Sequence, residues 1–87
     1  MLKFEDIANI PDQELFQINN DLTPSVLAKV IKTAPKEIAK KILSNIRSDV
    51  AMMIENMAEK LGDLSPSDIE SARQKVLEVA ENYYRTN

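Results

Sequence analysis

Glu55 and Glu59 stand four residues apart in a stretch that reads as helical, so their carboxylates share one side of it. Such a pair could act as a charged contact surface, or hold a divalent ion of the magnesium type, though two carboxylates alone make only a loose site. The chain has no histidine, the commonest general base and metal ligand, and no cysteine for thiolate zinc or disulfides. An unusual enzyme built on carboxylates is the catalytic alternative. The reading is non-enzymatic, with no cofactor required. Lys36, Lys40, Lys41 and Arg47, with Lys29 and Lys32 upstream, form a basic cluster. It reads as solvation or as a surface complementary to acidic side chains of a partner. Met52, Met53 and Met57 bring flexible thioethers, which fill irregular cores and suit adaptable binding surfaces. Met53 and Met57 read as core, and Met52 lies at the edge.

The composition narrows the possible partners. Eighty-seven residues make one small domain spanning 1–87, with one core and no deep interdomain cleft. Fourteen acidic and 11 basic residues give a formal charge of −3, the wrong sign for a nucleic-acid surface. No apolar run approaches the roughly 20 residues needed to cross a bilayer, so no direct membrane insertion is expected. The opening MLKFEDIANI carries acids where a signal peptide needs an apolar stretch. The expected location is cytoplasmic.

The elements that position these residues are helices. Each of the four prolines is followed three or four residues later by an apolar anchor: Leu15 after Pro11, Leu27 after Pro24, Ile38 after Pro35, Ile69 after Pro66. Proline suits a first helical turn, where its missing N–H would be unpaired anyway. Thr23 and Ser65 precede two of them as caps. The spacing predicts a short turn over Phe4–Ala8, with Phe4 and Ile7 inward, then helices over Pro11–Asn20, Pro24–Thr33, Pro35–Asn45, Ser48–Leu61 and Pro66–Tyr84. Counting the opening turn as the first helix, Val50, Met53, Ile54, Met57 and Leu61 fall at helical spacing on one face of the fifth, Ser48–Leu61. Ala51, Met52 and Ala58 widen that face, which places this helix in the middle of the bundle. Gly62 reads as its left-handed cap. No segment alternates like a half-buried strand. The fold class is all-α, a compact six-helix bundle with armadillo-like superhelical packing.

Read end to end, the chain resembles the C-terminal domain of the FliG family of flagellar motor switch proteins. Met1-Leu2-Lys3-Phe4 looks like that family's MFxF hinge motif, and Phe4-Glu5-Asp6-Ile7 like its FEDI. Leu27–Ala34 is similar to its LALALKGA, and Ile42-Leu43-Ser44-Asn45-Ile46 to its pattern ending in NMS. Leu61-Gly62 followed by 67–76 resembles LGPVRLxDVEEAQxKI. The motifs run in order, without gaps, over nearly the whole chain.

The resemblance implies a rotor domain at the cytoplasmic face of the membrane. In the family, charged residues around the fifth helix meet opposite charges on the stator's cytoplasmic loop, and the chain contacts other rotor proteins. Carried over residue by residue, the partner-binding positions are Lys32, Asp49, Glu55, Asn56 and Glu59, and the hinge positions are Met1 and Phe4. Lys32 keeps the third-helix lysine. The arginine after NMS falls on Asp49, the acidic pair on Asn56 and Met57, and the arginine of PVR on Ser65. Glu55 and Glu59 stand one or two positions from the acidic pair. A steering surface depends on the sign of its charges. Two function readings therefore stay open: a rotor or switch domain that contacts the stator, or a FliG-like adaptor serving another envelope assembly or regulatory partner. Oligomeric state is left open.

Overall fold

The computed structural model describes residues 2–86. Met1, named above as a hinge position, lies outside them. A 3-10 helix over Phe4–Asn9 is followed by five α-helices: α1 (Asp12–Asn20), α2 (Pro24–Thr33), α3 (Lys36–Ser44), α4 (Ser48–Lys60) and α5 (Pro66–Thr86). Among the described residues there is no strand. The radius of gyration is 12.0 Å, about that of a close-packed chain of this length.

The proline-based boundaries hold to within a residue or two. The Thr23 hydroxyl accepts from the Val26 N–H at 3.3 Å, and Ser65 accepts from the Asp68 N–H at 3.1 Å. Pro24 and Pro66 open α2 and α5. Pro11 and Pro35 instead stand at the cap itself, in extended backbone. Their carbonyls accept the first helical N–H bonds, from Leu15 at 2.9 Å and Ala39 at 3.0 Å.

The centre of the bundle is α2, not α4. α2 packs against α3, α4 and α5 together, while α1 packs on α5 and the 3-10 helix on α3. Leu27, Ala28 and Val30 of α2 are buried with Ile38 and Ile42 of α3, Ile54 and Ala58 of α4, and Ala72, Val76 and Ala80 of α5. The buried face of α4 is Ala51, Ile54 and Ala58; Val50, Met57 and Leu61 flank it in partial burial. Met53, expected inside, is exposed. On the buried side of α4, Ile54 lies between two small residues, Ala51 and Ala58, and Met52 and Met53 fall outside it.

Gly62 is not a left-handed cap: no described residue has positive φ. Leu61 closes α4 in extended backbone, its N–H bonded to the Met57 and Ala58 carbonyls. The Lys32 ammonium also donates to the Ala58 carbonyl, at 3.4 Å. With these end carbonyls satisfied, the helix does not need the reversed turn that glycine serves.

α1 is fastened to the end of α3 by a polar network. Asn19 is 4% exposed and donates through Nδ2 to the carbonyls of Ile42 at 3.3 Å and Asn45 at 3.2 Å. Asn45 in turn donates to Asp12 Oδ1 at 3.1 Å, and Lys41 pairs with the same carboxylate at 3.0 Å. These donors hold the Asp12 carboxyl below its ordinary value, the Lys41 hydrogen bond contributing most.

Candidate protein-interaction face

α4 forms in part because Asp49 lies in its first turn and Lys60 in its last, each charge matched to the nearer helix pole. With α2 covering one side, 3.6 residues per turn place Asp49, Met52, Met53, Asn56 and Lys60 around the opposite side, with Glu55 and Glu59 along one flank. All seven are exposed. Met52 is 66% exposed and Met53 44%. With Tyr84, these two methionines are the exposed large hydrophobic residues of the described chain.

Its charges are unevenly partnered. Asp49 is answered at 3.0 Å by the Arg47 guanidinium, both side chains open to solvent. Among the described residues, neither Glu55, Glu59 nor Lys60 makes an ion pair. Lys32 reaches the C-terminal end of α4 from the last turn of α2 and spends its ammonium on the carbonyl of Ala58, a residue on the side of α4 that α2 covers. The structure thus brings Asp49, Glu55, Asn56 and Glu59 onto one helix and fastens Lys32 to its end.

Phe4 lies elsewhere. Its ring is half-buried against the core, and the Arg73 guanidinium of α5 sits 4.3 Å above its centroid. Arg73 Nη2 donates at 2.8 Å to the Thr33 carbonyl, at the negative end of α2, while its buried Nε finds no partner. The Leu2 N–H donates to Glu81 Oε2 at 3.0 Å. The N-terminal segment is therefore strapped along α5 at two points, one residue on either side of Lys3.

Comparison with known proteins settles what kind of domain this is. The profile of the FliG C-terminal domain matches residues 1–86. The chain belongs to the FliG C-terminal domain family. A flagellar motor switch protein FliG of Vibrio cholerae is 29% identical over 80 residues, 92% of this chain and 23% of the relative. The FliG of Aquifex aeolicus is 30% identical over 79 residues, 91% of this chain and 24% of the relative. That of Thermotoga maritima is 28% identical over 79 residues, 91% of this chain and 24% of the relative. The chain thus spans about a quarter of the length of the curated FliG relatives it matches.

Sequence reasoning missed three participants: Met53, Arg47 as the partner of Asp49, and Arg73 as the clamp on Phe4. Spacing could have found Arg47, two residues before an acid at a helix start. Nothing in the sequence pairs Arg73 with Phe4, 69 positions away. Among the described residues no group of three or more metal-ligating side chains converges, and no helix is long and apolar enough to cross a membrane. An open groove of about 460 Å³ between α2 and α5 is lined by Lys29, Lys75, Asp68 and Glu78, in which opposite charges alternate.

Proposed function

We propose that this chain works as a non-enzymatic rotor domain of a flagellar motor switch, meeting the stator's cytoplasmic loop through the outer face of α4 and Lys32. The observation that supports this best is the match over residues 1–86 to a domain of motor switch proteins. The exposure of Lys32, Asp49, Glu55, Asn56 and Glu59 agrees with it. The family's charges are displaced here rather than lost. Arg47 places a guanidinium 3.0 Å from the Asp49 carboxylate, so a guanidinium remains at the start of α4, paired with the acid that stands at the family's arginine position. Glu55 and Glu59 put negative charge beside Asn56 and Met57, where the family has its acidic pair. A domain of this kind sits on the cytoplasmic side of the membrane and contacts other rotor proteins. Phe4, pinned under Arg73, fixes where the chain joins the bundle, and with Met1 forms the hinge.

The test is domain replacement in a motile strain, with this chain in place of the corresponding domain of its switch protein. Swimming should return. Lys32→Glu, and separately Glu55→Ala with Glu59→Ala, should cut torque and reduce stator capture in a pull-down. A replacement strain that swims equally well with all three changes would reject the reading.

A further inference from the structure

The outer face of α4 carries two exposed methionines, and its unpaired acids lie to one side. Met52 and Met53 straddle the midline of the face, along which Asp49, Asn56 and Lys60 also fall. The charge at the N-terminal end is neutralised within the Arg47–Asp49 pair. Glu55 and Glu59 remain unpaired along one flank, and Lys60 stands at the far end. Adjacent exposed methionines are unusual on a polar helix face, and methionine is enriched at the cores of protein interfaces. A purely electrostatic steering surface would need neither of them.

We propose that the outer face of α4 is a docking platform for a partner helix with an apolar ridge and a lysine- or arginine-bearing flank. Met52 and Met53 receive the ridge; Glu55 and Glu59 receive the basic flank. The inference rests on the reading of α4 as the contact face and adds what kind of partner segment that face accepts. A helix is the form that fits. Adding a strand needs an open sheet edge, and the described residues contain no strand. Polyproline recognition needs an aromatic-lined groove, and α4 carries no aromatic residue. The 13 residues of α4 give a straight face of about 20 Å. Its side chains at three- and four-residue spacing make ridges that a second helix can interlock with. The unpaired acids decide the sign of the flank and, by being off-centre, the direction in which the partner lies.

The test is a titration followed by NMR on the methionine methyl groups of the intact chain. The probe is a helical peptide of about five turns, with leucines along one ridge and lysines along one flank. Two matched peptides carry glutamates in place of the lysines, or glutamines in place of the leucines. The lysine–leucine peptide should shift the Met52 and Met53 methyls. Met52→Ser with Met53→Ser should weaken binding at least about tenfold, because the apolar contact is lost. Glu55→Gln with Glu59→Gln should weaken it about threefold and flatten its salt dependence. Both double variants change exposed residues and should melt with the parent, so loss of binding will not reflect unfolding. Equal binding by the methionine variant, or by the glutamate peptide, would overturn the proposal. Methyl shifts that depend on protein concentration without peptide would overturn it too, by assigning the face to a second copy. Peptide binding through the methionines in a domain that fails to restore motility would sustain the platform and reject the stator reading instead.

Discussion

Phe4 and Arg73 should be coupled by about 1 kcal/mol, measurable in a double-mutant cycle. The guanidinium lies 4.3 Å from the ring centroid and is partly withdrawn from water, between the exposed and desolvated limits for a cation over an aromatic face. Phe4→Leu keeps apolar bulk and removes the ring face, and should cost about 1 kcal/mol. Phe4→Ala should cost about 2 kcal/mol, roughly half of the 3–5 kcal/mol typical of a fully buried ring, because Phe4 is only half covered. Arg73→Met loses both the ring contact and the charged hydrogen bond to the Thr33 carbonyl, together about 2–3 kcal/mol. It also removes the unpartnered Nε, which offsets about 1 kcal/mol of that. The double variant Phe4→Leu/Arg73→Met should then be less destabilised than the sum of its singles by about 1 kcal/mol. Urea unfolding of the four proteins reads this directly, provided the slope of each transition is unchanged. In thermal melts the same coupling is about 4–8 °C for a domain of this size. Additivity within about 0.3 kcal/mol would show that ring and guanidinium are neighbours without interacting, and would dissolve the clamp.

Other outcomes follow from the polar contacts and the helix ends. Asp12 has its folded-state value lowered, so it contributes stability above the ordinary carboxylate value of 3.8 that is lost as pH falls below it. Asp12→Asn should therefore destabilise at neutral pH and converge on the parent in strong acid; a constant difference across that range would contradict the Lys41 and Asn45 contacts. Tyr84 has its phenol pushed up to about 12, first by burial and then by donating at 2.6 Å to Glu14. Its stabilising contribution is complete below about 10 and lost between about 10 and 12. Phenolate absorbance should show one tyrosine titrating late, and Glu14→Gln should bring it earlier; no movement would mean that the hydrogen bond is absent in solution. Gly62→Ala should be neutral or stabilising by up to about 1 kcal/mol, since φ is not positive and a Cβ would meet nothing within 4 Å. A clear loss in a melt would restore the left-handed cap.

The helices were legible because their punctuation is chemical and local. Proline lacks an N–H, and serine and threonine offer an oxygen to the first turn; neither depends on what packs nearby. The orientation of α4 was not legible. Periodicity identifies a helix that has an apolar face, but α4 has two, and the weight of Val50, Met53, Met57 and Leu61 pointed to the wrong arc. What decided the matter was closeness to α2, which favours Ala51 and Ala58, and small residues carry little weight in a hydropathy pattern. Asparagine at a helix end usually serves a turn, so its residue type does not mark Asn19 for burial. Its burial depends on the carbonyls at the end of α3, more than 20 residues away. The candidate face was half legible: Glu55, Asn56 and Glu59 fell on one helix by spacing. The Arg47 pairing of Asp49, the Lys32 contact and the two exposed methionines depend on tertiary placement.

The hydrogen bond from Leu2 to Glu81 joins the first described residue to the next-to-last turn of the final helix. Mechanically, this makes the domain a closed loop with a small clasp. Tension applied at its two ends would load the clasp first, peeling Leu2 and Phe4 away from α5 before any strain reached the α2 hub. Because α2 packs on both α4 and α5, a load placed on α4 would reach α5, and with it the clasp, through α2.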